Sequence, residues 1–519
     1  MPAVARRLDA PARGSLSIAP DDQAPGGPQP VRLACVAPAT LRALAVLPQP
    51  MNTAPAPSSP ASPPPLVPRE HRLAFVLLTT CFAAWGLANN MTDPLVRAFK
   101  GIFTDLSNTE SALVQFAFYG AYFVLALPAA FLIKRFSYKT GVLVGLGLYV
   151  LGALLFYPAS LAMRFGPFLG AIFVLAGGLS ILETSCNPYI IALGPEETGT
   201  RRLNLAQSFN PVGSVIGMML AGFLILPRMN PATEAERKAM APELLRHIQT
   251  EELAAVMTPY VGTALALVVL WLALALTRMP RASDAGPRID FLPTLGRLLR
   301  NRHYSFGVVA QFFYVAAQIC VWTFTIHYIA KIVEDGQGKP LIDLLETTGI
   351  NQFVRAIRLV EPGKEMTGLT VAGIYHICAM LLFLSFRFIC TALMRVFRPS
   401  LLLTVFAAAA AMLTVVVMTS VNLTGTLCLI TISACMSLMF PTIYGIALHG
   451  LGEDTKFGGA GLVMAILGGA LLPLAQARIV DLSTPALSYV VPLGCFLVVL
   501  AYGVFDLVSE RVAHGQPAR

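Results

Sequence analysis

Apolar runs of about twenty residues recur along this chain, and no other feature constrains its fold so strongly. The first opens at Leu73 and runs to Trp85 with hardly a polar side chain. A helix rising 1.5 Å per residue needs ~20 such residues to cross a bilayer. The pattern predicts twelve spans with soft edges: 73–97, 110–133, 140–159, 166–192, 203–226, 258–278, 304–330, 367–393, 400–420, 424–447, 457–477 and 486–507. Only 13% of the 519 residues are charged, about half the ~25% of soluble domains. The solvent of this chain is therefore mostly lipid, and the expected class is an all-α polytopic membrane protein. The net charge of +9 comes from loops between spans and forms no single patch, which argues against nucleic acid as a partner. Nine scattered cysteines without a C-x-x-C pair read as small hydrophobes inside helices.

The organisation follows from what separates the runs. Residues 1–68, rich in Pro and Ala, cannot build a core and are expected to be a disordered tail. They lack a sustained apolar stretch of the signal-peptide kind, and Met51 is a candidate start. Residues 69–278 then form six spans, 279–303 a basic linker, 304–508 six more spans, and 509–519 a tail. With both termini inside, the inner segments hold about 23 basic residues against about 13 outside. Lys134, Lys139, Arg201, Arg202 and the six arginines from Arg278 to Arg302 carry that asymmetry. The expected location is a bacterial cytoplasmic membrane, with both termini cytoplasmic. Two six-span halves joined by a cytoplasmic linker are the organisation of the major facilitator superfamily, whose binding site lies near the midplane between the halves.

Ionisable residues inside spans are functional candidates by default, because a charge in the membrane core is costly. Three stand out here: Asp93, Glu183 and Arg387. Asn89 and Asn90 precede Asp93 by four and three residues, so the three share one helical face. Glu183 follows a long apolar run, with Asn187 one turn on and Pro188 freeing a backbone carbonyl nearby. A carboxyl in such a place suits proton coupling, since its neutral form is the cheaper one in a dry bundle. Arg387, less than two turns from the end of its span, is expected to snorkel to the membrane surface. Asn204, Gln207 and Asn210 form an amide stripe, and Gly213 with Gly217 a small-xxx-small pair suited to close helix contact. Gln311, Tyr314, Gln318, Trp322 and Thr325 alternate amides with aromatics along one face, the combination that binds a sugar.

These residues carry a resemblance. Ala88-Asn-Asn-Met-Thr-Asp93, Gln115-Phe-Ala-Phe-Tyr119, Leu182-Glu-Thr184 with Asn187-Pro188, Arg202-Leu-Asn-Leu-Ala-Gln207, Ala310-Gln-Phe312 with Tyr314, Gln318 and Trp322, and Gly452-Glu-Asp-Thr-Lys456 occur in order. Over roughly residues 70–508 the sequence resembles the fucose–galactose–proton symporter family of the major facilitator superfamily, and within it the bacterial L-fucose/proton symporters. The resemblance implies a twelve-helix transporter, not an enzyme, that takes up L-fucose with a proton by alternating access. It implies Asp93 and Glu183 as proton-coupling groups. It places Asn90, Glu183, Gln207, Gln115, Asn187, Tyr314, Gln318 and Trp322 at the sugar. A monomer is expected, with sugar, proton and lipid bilayer as its partners, and no cofactor or metal beyond the coupling proton. The N-terminal tail, the long 331–366 loop and the glycine-free Phe386-Arg-Phe-Ile-Cys-Thr391 segment depart from the family pattern. Galactose, glucose and N-acetylglucosamine remain open as substrates, as do a facilitative carrier and a sugar receptor that does not transport.

Overall fold

A computed structural model of the chain describes residues 64–102, 108–162, 164–220, 239–280, 290–350 and 367–513, with isolated positions from 224 to 237 and at 352. Side chains are described outside residues 88–112, 256 and 510–513. The described residues fold into helices: α1 (Arg72–Ile102), α2 (Asn108–Arg135), α3 (Tyr138–Ala162), α4 (Phe165–Ala192), α5 (Gly199–Gln207), α6 (Asn210–Leu220) and α7 (Pro242–Leu276). After a short helix α8 (Phe291–Arg300) come α9 (Arg302–Ile332), α10 (Lys339–Thr347), α11 (Gly368–Leu393), α12 (Pro399–Thr419), α13 (Leu423–Met436), α14 (Met439–Leu448), α15 (Thr455–Met464), α16 (Gly468–Leu482) and α17 (Val490–Ala513). Among the described residues, ten helical stretches are long and apolar enough to cross a membrane. α1 and the pair α5–α6 supply the other two of twelve.

Lipid offers the backbone no hydrogen bonds, so helices are the only open-ended solution for such runs. They gather into two bundles. In the first, α3 and α2 pack on α4, α1 on α6, and α3 on α7. In the second, α12 packs on α17 and α13, α9 on α17 and α16, and α11 on α13. With no hydrophobic drive between apolar helices, close backbone approach carries the association. At the α1–α6 seam a Cβ on Gly86 would stand 1.9 Å from the Asn210 carbonyl oxygen, and one on Gly213 would stand 1.7 Å from that of Ala83. The small residues noted in span five are therefore a seam requirement.

Several spans depart from regular helix. The fifth breaks between α5 and α6 at Ser208-Phe209, and the tenth between α13 and α14 at Ser437-Leu438. Pro211 has no N–H to offer the carbonyl four residues back, that of Gln207. At the tenth-span break, Tyr314 Oη donates to the Met436 carbonyl at 3.0 Å. The sixth span was expected from residue 258, yet α7 starts at Pro242. Its 35 residues are ~52 Å long, well beyond a ~30 Å hydrocarbon core. The extra turns are held by a buried, bidentate pair in which Arg237 donates to Glu252 at 2.8 and 2.6 Å. Glu252 Oε1 also accepts from the Asn230 amide at 2.8 Å. The 1–63 part of the tail, residues 353–366 of the long loop and residues 281–289 of the linker lie outside the described residues.

The α1–α6 seam gives a direct test. Gly213→Leu should destabilise the protein by about 3 kcal/mol or more, read as a lowered melting temperature in detergent. Gly262→Ala, whose Cβ meets nothing within 4 Å, should leave the melting temperature unchanged.

Candidate functional site

Between the two bundles lies a cleft of about 840 Å³, counting its solvent-open part. The first bundle contributes Trp85 from α1, Tyr119 and Tyr122 from α2, Gln207 from α5, and Asn210 and Ser214 from α6. The second contributes Gln318 and Trp322 from α9, Phe383 and Arg387 from α11, and Phe440 from α14. Aromatic faces thus alternate with amides and one guanidinium, a lining matched to a polyhydroxylated ring with apolar C–H faces. Arg387 Nε is buried without a hydrogen-bond partner among the described residues, and Trp85 and Tyr122 meet each other at the same wall. Unpaired buried donors are costly, so donors at a cleft wall suit a ligand rich in acceptor oxygens.

Arg387 sets the floor of the cleft. It is 5% exposed, so the expected snorkelling does not occur. Pro211 leaves the Gln207 carbonyl without its helical donor, and Arg387 Nη1 donates to that oxygen at 3.2 Å. The same nitrogen donates to Gln207 Oε1 at 3.3 Å. The guanidinium carbon lies 5.0 Å from the Phe383 ring centroid, and that ring meets Trp322 edge-on at 5.1 Å. A buried charge can persist where carbonyl, amide and ring face share it, and here these outbid the surface.

Behind the floor the polar chain continues. Gln207 Nε2 donates to Asn187 Oδ1 at 2.8 Å, and Asn187 Nδ2 donates to Glu183 Oε1 at 3.4 Å. Glu183 is 2% exposed, and its Oε2 has no partner among the described residues. It borders a separate small cavity of about 180 Å³ with Cys81, Phe82, Trp85, Leu182 and Cys186.

Of the residues singled out in the sequence, Gln207, Gln318 and Trp322 line the cleft. Glu183 and Asn187 stand one layer behind it, joined to it through Gln207. Tyr314 is fully buried away from the wall, serving the α13–α14 break. Gln115 is half-buried on α2 and is not among the lining residues. Asn90 and Asp93 sit on α1, but their side chains lie outside the described residues. Asn204 turns from the cleft and donates to Thr442 Oγ1 across the bundles at 3.3 Å. Trp85 and Tyr122 also line the cleft and were not singled out in the sequence, and Arg387, expected at the membrane surface, lines it too. For Trp85 a signal existed, since it lies one turn before Asn89 on the same face.

From the cleft floor, bonds between the bundles run toward the end that carries α8. Ser208 and Thr391 hydroxyls lie 3.4 Å apart, Glu196 Oε1 accepts from the Gly450 amide at 2.9 Å, and Lys134 Nζ meets Glu453 Oε2 at 2.9 Å. A Cβ on Gly445 would stand 2.6 Å from Thr200 Oγ1, so the backbones also close up there. Nearby, buried Arg202 donates through Nε to the Ile190 carbonyl at 2.7 Å and through its other nitrogens to Ile191, Gly194 and Leu66 carbonyls, capping the end of α4.

Fold and cleft together define a membrane transporter: residues 73–473 match the family described as Major Facilitator Superfamily, and the chain belongs to it. It is 40% identical to an L-fucose-proton symporter of Haemophilus influenzae, covering 83% of this chain and 95% of that protein. It is 33% identical to an L-fucose-proton symporter of Escherichia coli (84% and 94% covered) and 32% identical to a glucose/galactose transporter of Brucella abortus (85% and 96% covered). A crystal structure of the E. coli fucose:proton symporter FucP superposes with a TM-score of 0.72 at 32% identity, covering 84% of this chain and 99% of that one. FucP in the outward conformation gives 0.71 at 33%, with the same coverage.

The Lys134–Glu453 pair yields a pH prediction. The Lys134 ammonium holds the Glu453 carboxyl below its ordinary value of 4.5. A depressed carboxylate pKa stabilises the bonded state above the ordinary value, and that contribution is lost as pH falls through the depressed one. The α8 end is therefore tied by this pair at neutral pH and loosens only in acid. Because Glu453 is more than half exposed, the pair contributes about 0.2–1 kcal/mol. Glu453→Gln should raise amide exchange in residues 199–207 by roughly two- to five-fold at pH 7 and remove its acid dependence.

Proposed function

We propose that this chain is a proton-coupled symporter that imports L-fucose across a bacterial cytoplasmic membrane by alternating access. The observation that carries the reading is the cleft between the bundles, with a buried carboxylate wired to its floor through Asn187 and Gln207. The likeness to two L-fucose-proton symporters over most of the chain supports both the sugar and the coupling ion. In this reading Gln207, Gln318 and Trp322 touch the sugar, with Asn90 joining them from α1 and Arg387 and Asn210 added by the geometry. Glu183 and Asn187 act on the sugar through Gln207. Tyr314 shapes the pocket by fixing the tenth-span break, and Gln115 supports α2. Asp93 and Glu183 are the proton-coupling groups.

The cycle follows from which end is tied. Bonds between bundles gather at the α8 end, which the distribution of Lys and Arg assigns to the cytoplasm. The structure then corresponds to an outward-facing state, a reading supported by the likeness to FucP in the outward conformation. Protonation from outside neutralises the buried acid, sugar binds, and the bundles rock to open the α8 end. Both termini are cytoplasmic, residues 279–303 form the cytoplasmic linker between bundles spanning 69–278 and 304–508, residues 1–68 and 509–519 are tails, and the working unit is a monomer. The likeness to a glucose/galactose transporter favours one second reading, a hexose symporter with the same coupling.

Uptake by energised vesicles, challenged with unlabelled sugars, separates these readings. L-fucose should compete at least ten-fold better than galactose or glucose; the reverse order assigns the protein to the second reading. Asp93→Asn should abolish concentrative uptake while retaining sugar exchange, and full accumulation by that variant contradicts its role. Trp322→Ala should weaken sugar affinity by roughly ten-fold, the worth of one aromatic face.

A further inference from the structure

Arg387, Gln207, Asn187 and Glu183 form one line of hydrogen bonds across the interface between the bundles, with donor–acceptor distances of 3.3, 2.8 and 3.4 Å. All four side chains are at most 5% exposed. The orientation of the two amides in this line is fixed by its ends. A guanidinium only donates, and an ionised carboxylate only accepts. Each amide must therefore turn its oxygen toward Arg387 and its NH2 toward Glu183, as observed. Neither can rotate without setting donor against donor or acceptor against acceptor in a dry site.

Protonation of Glu183 removes that constraint at one end. The carboxyl then carries an O–H that Asn187 Oδ1 can accept, so Asn187 can turn its NH2 toward Gln207. Gln207 answers by turning its own oxygen to Asn187, which leaves its NH2 beside the Arg387 guanidinium. Two donors that satisfied an amide oxygen now both need an acceptor, and both residues line the cleft. A sugar hydroxyl oxygen placed between them supplies it. Arg387 meanwhile keeps its bond to the Gln207 backbone carbonyl, so the floor is not dismantled.

We propose that Asn187 is a positioning residue that transmits the protonation of Glu183 to the Gln207–Arg387 pair. The proton site and the sugar site are then coupled by reversal of a two-amide relay, without direct contact between carboxyl and sugar. This rests on the symporter reading above. Titratable groups facing Glu183 are Cys81 on α1, Tyr122 on α2, Cys186 on α4 and Tyr444 on α14; Tyr314 and Cys390 face Arg387. These are thiols and phenols, so Glu183 and Arg387 are the acid and the base at the two ends of the relay. Glu183 Oε2, without a partner among the described residues and beside its small cavity, is the oxygen open to the proton.

Two measurements on purified, reconstituted protein test the relay. Infrared difference spectra between about pH 5 and pH 9, without sugar, should show a carboxyl band, absent in Glu183→Gln, changing together with side-chain amide bands. Asn187→Leu, similar in volume but without an amide, should keep the carboxyl change and lose the amide change. L-fucose affinity should vary at least ten-fold over that range in the unaltered protein, and less than two-fold in Asn187→Leu. If leucine is not accommodated, as a lowered melting temperature would show, Asn187→Ala should give the same flat profile. PH-dependent affinity persisting in a folded Asn187 variant overturns the relay, as does loss of sugar binding at every pH. A relay seen in the infrared without sugar-driven proton flux leaves the relay standing and defeats the symporter reading.

Discussion

A guanidinium buried in the middle of a membrane protein has to be held by the protein itself, and the manner in which Arg387 is held organises the structure around it. Its partners are made by local sequence. Pro211 breaks the fifth span and leaves the Gln207 carbonyl open; the Gln207 side chain offers a second oxygen; Phe383, four residues earlier on α11, offers a ring face. Each comes from a different covalent decision, yet all converge on one charge. Because Gln207 belongs to the first bundle and Arg387 to the second, holding the charge also fixes how the bundles meet at the cleft floor.

The rest of the interface follows from that floor. On the α8 side, small residues and exposed ion pairs bring the bundles together: Gly445 against Thr200, Glu196 against the Gly450 amide, Lys134 against Glu453. Such contacts are individually weak and partly solvated, so they can be made and broken in each turn of a transport cycle. The seams inside a bundle are of another kind. Gly86 and Gly213 allow backbones of α1 and α6 to touch, and a contact that leaves no room for a methyl group does not slide. Rigid bundles moving about a breakable interface are what alternating access requires.

Much of this was legible in the sequence. Apolar run length gave the helices because lipid leaves the backbone no alternative. Gln207, Gln318 and Trp322, which line the cleft, stood out because polar residues on a repeating helical face inside a span have few other uses. Other features depended on three-dimensional accidents that periodicity does not encode. Arg387 lies close enough to a helix end to snorkel, and it stays inside because of partners on two helices: the carbonyl freed by Pro211, the Gln207 side chain and the Phe383 ring. Tyr314 shares the stripe of Gln318, but a break in α13–α14 captures its hydroxyl. The early start of α7 was hidden because charged residues such as Glu252 look like loop until the Arg237 pair buries them.

The central claim is that sugar and proton move together through the cleft above Arg387. The most direct measurement is the external pH of a lightly buffered suspension of de-energised vesicles containing the protein, on addition of L-fucose. The account predicts prompt alkalinisation with L-fucose, abolished by Asp93→Asn. Entry of L-fucose with no change in external pH would contradict it.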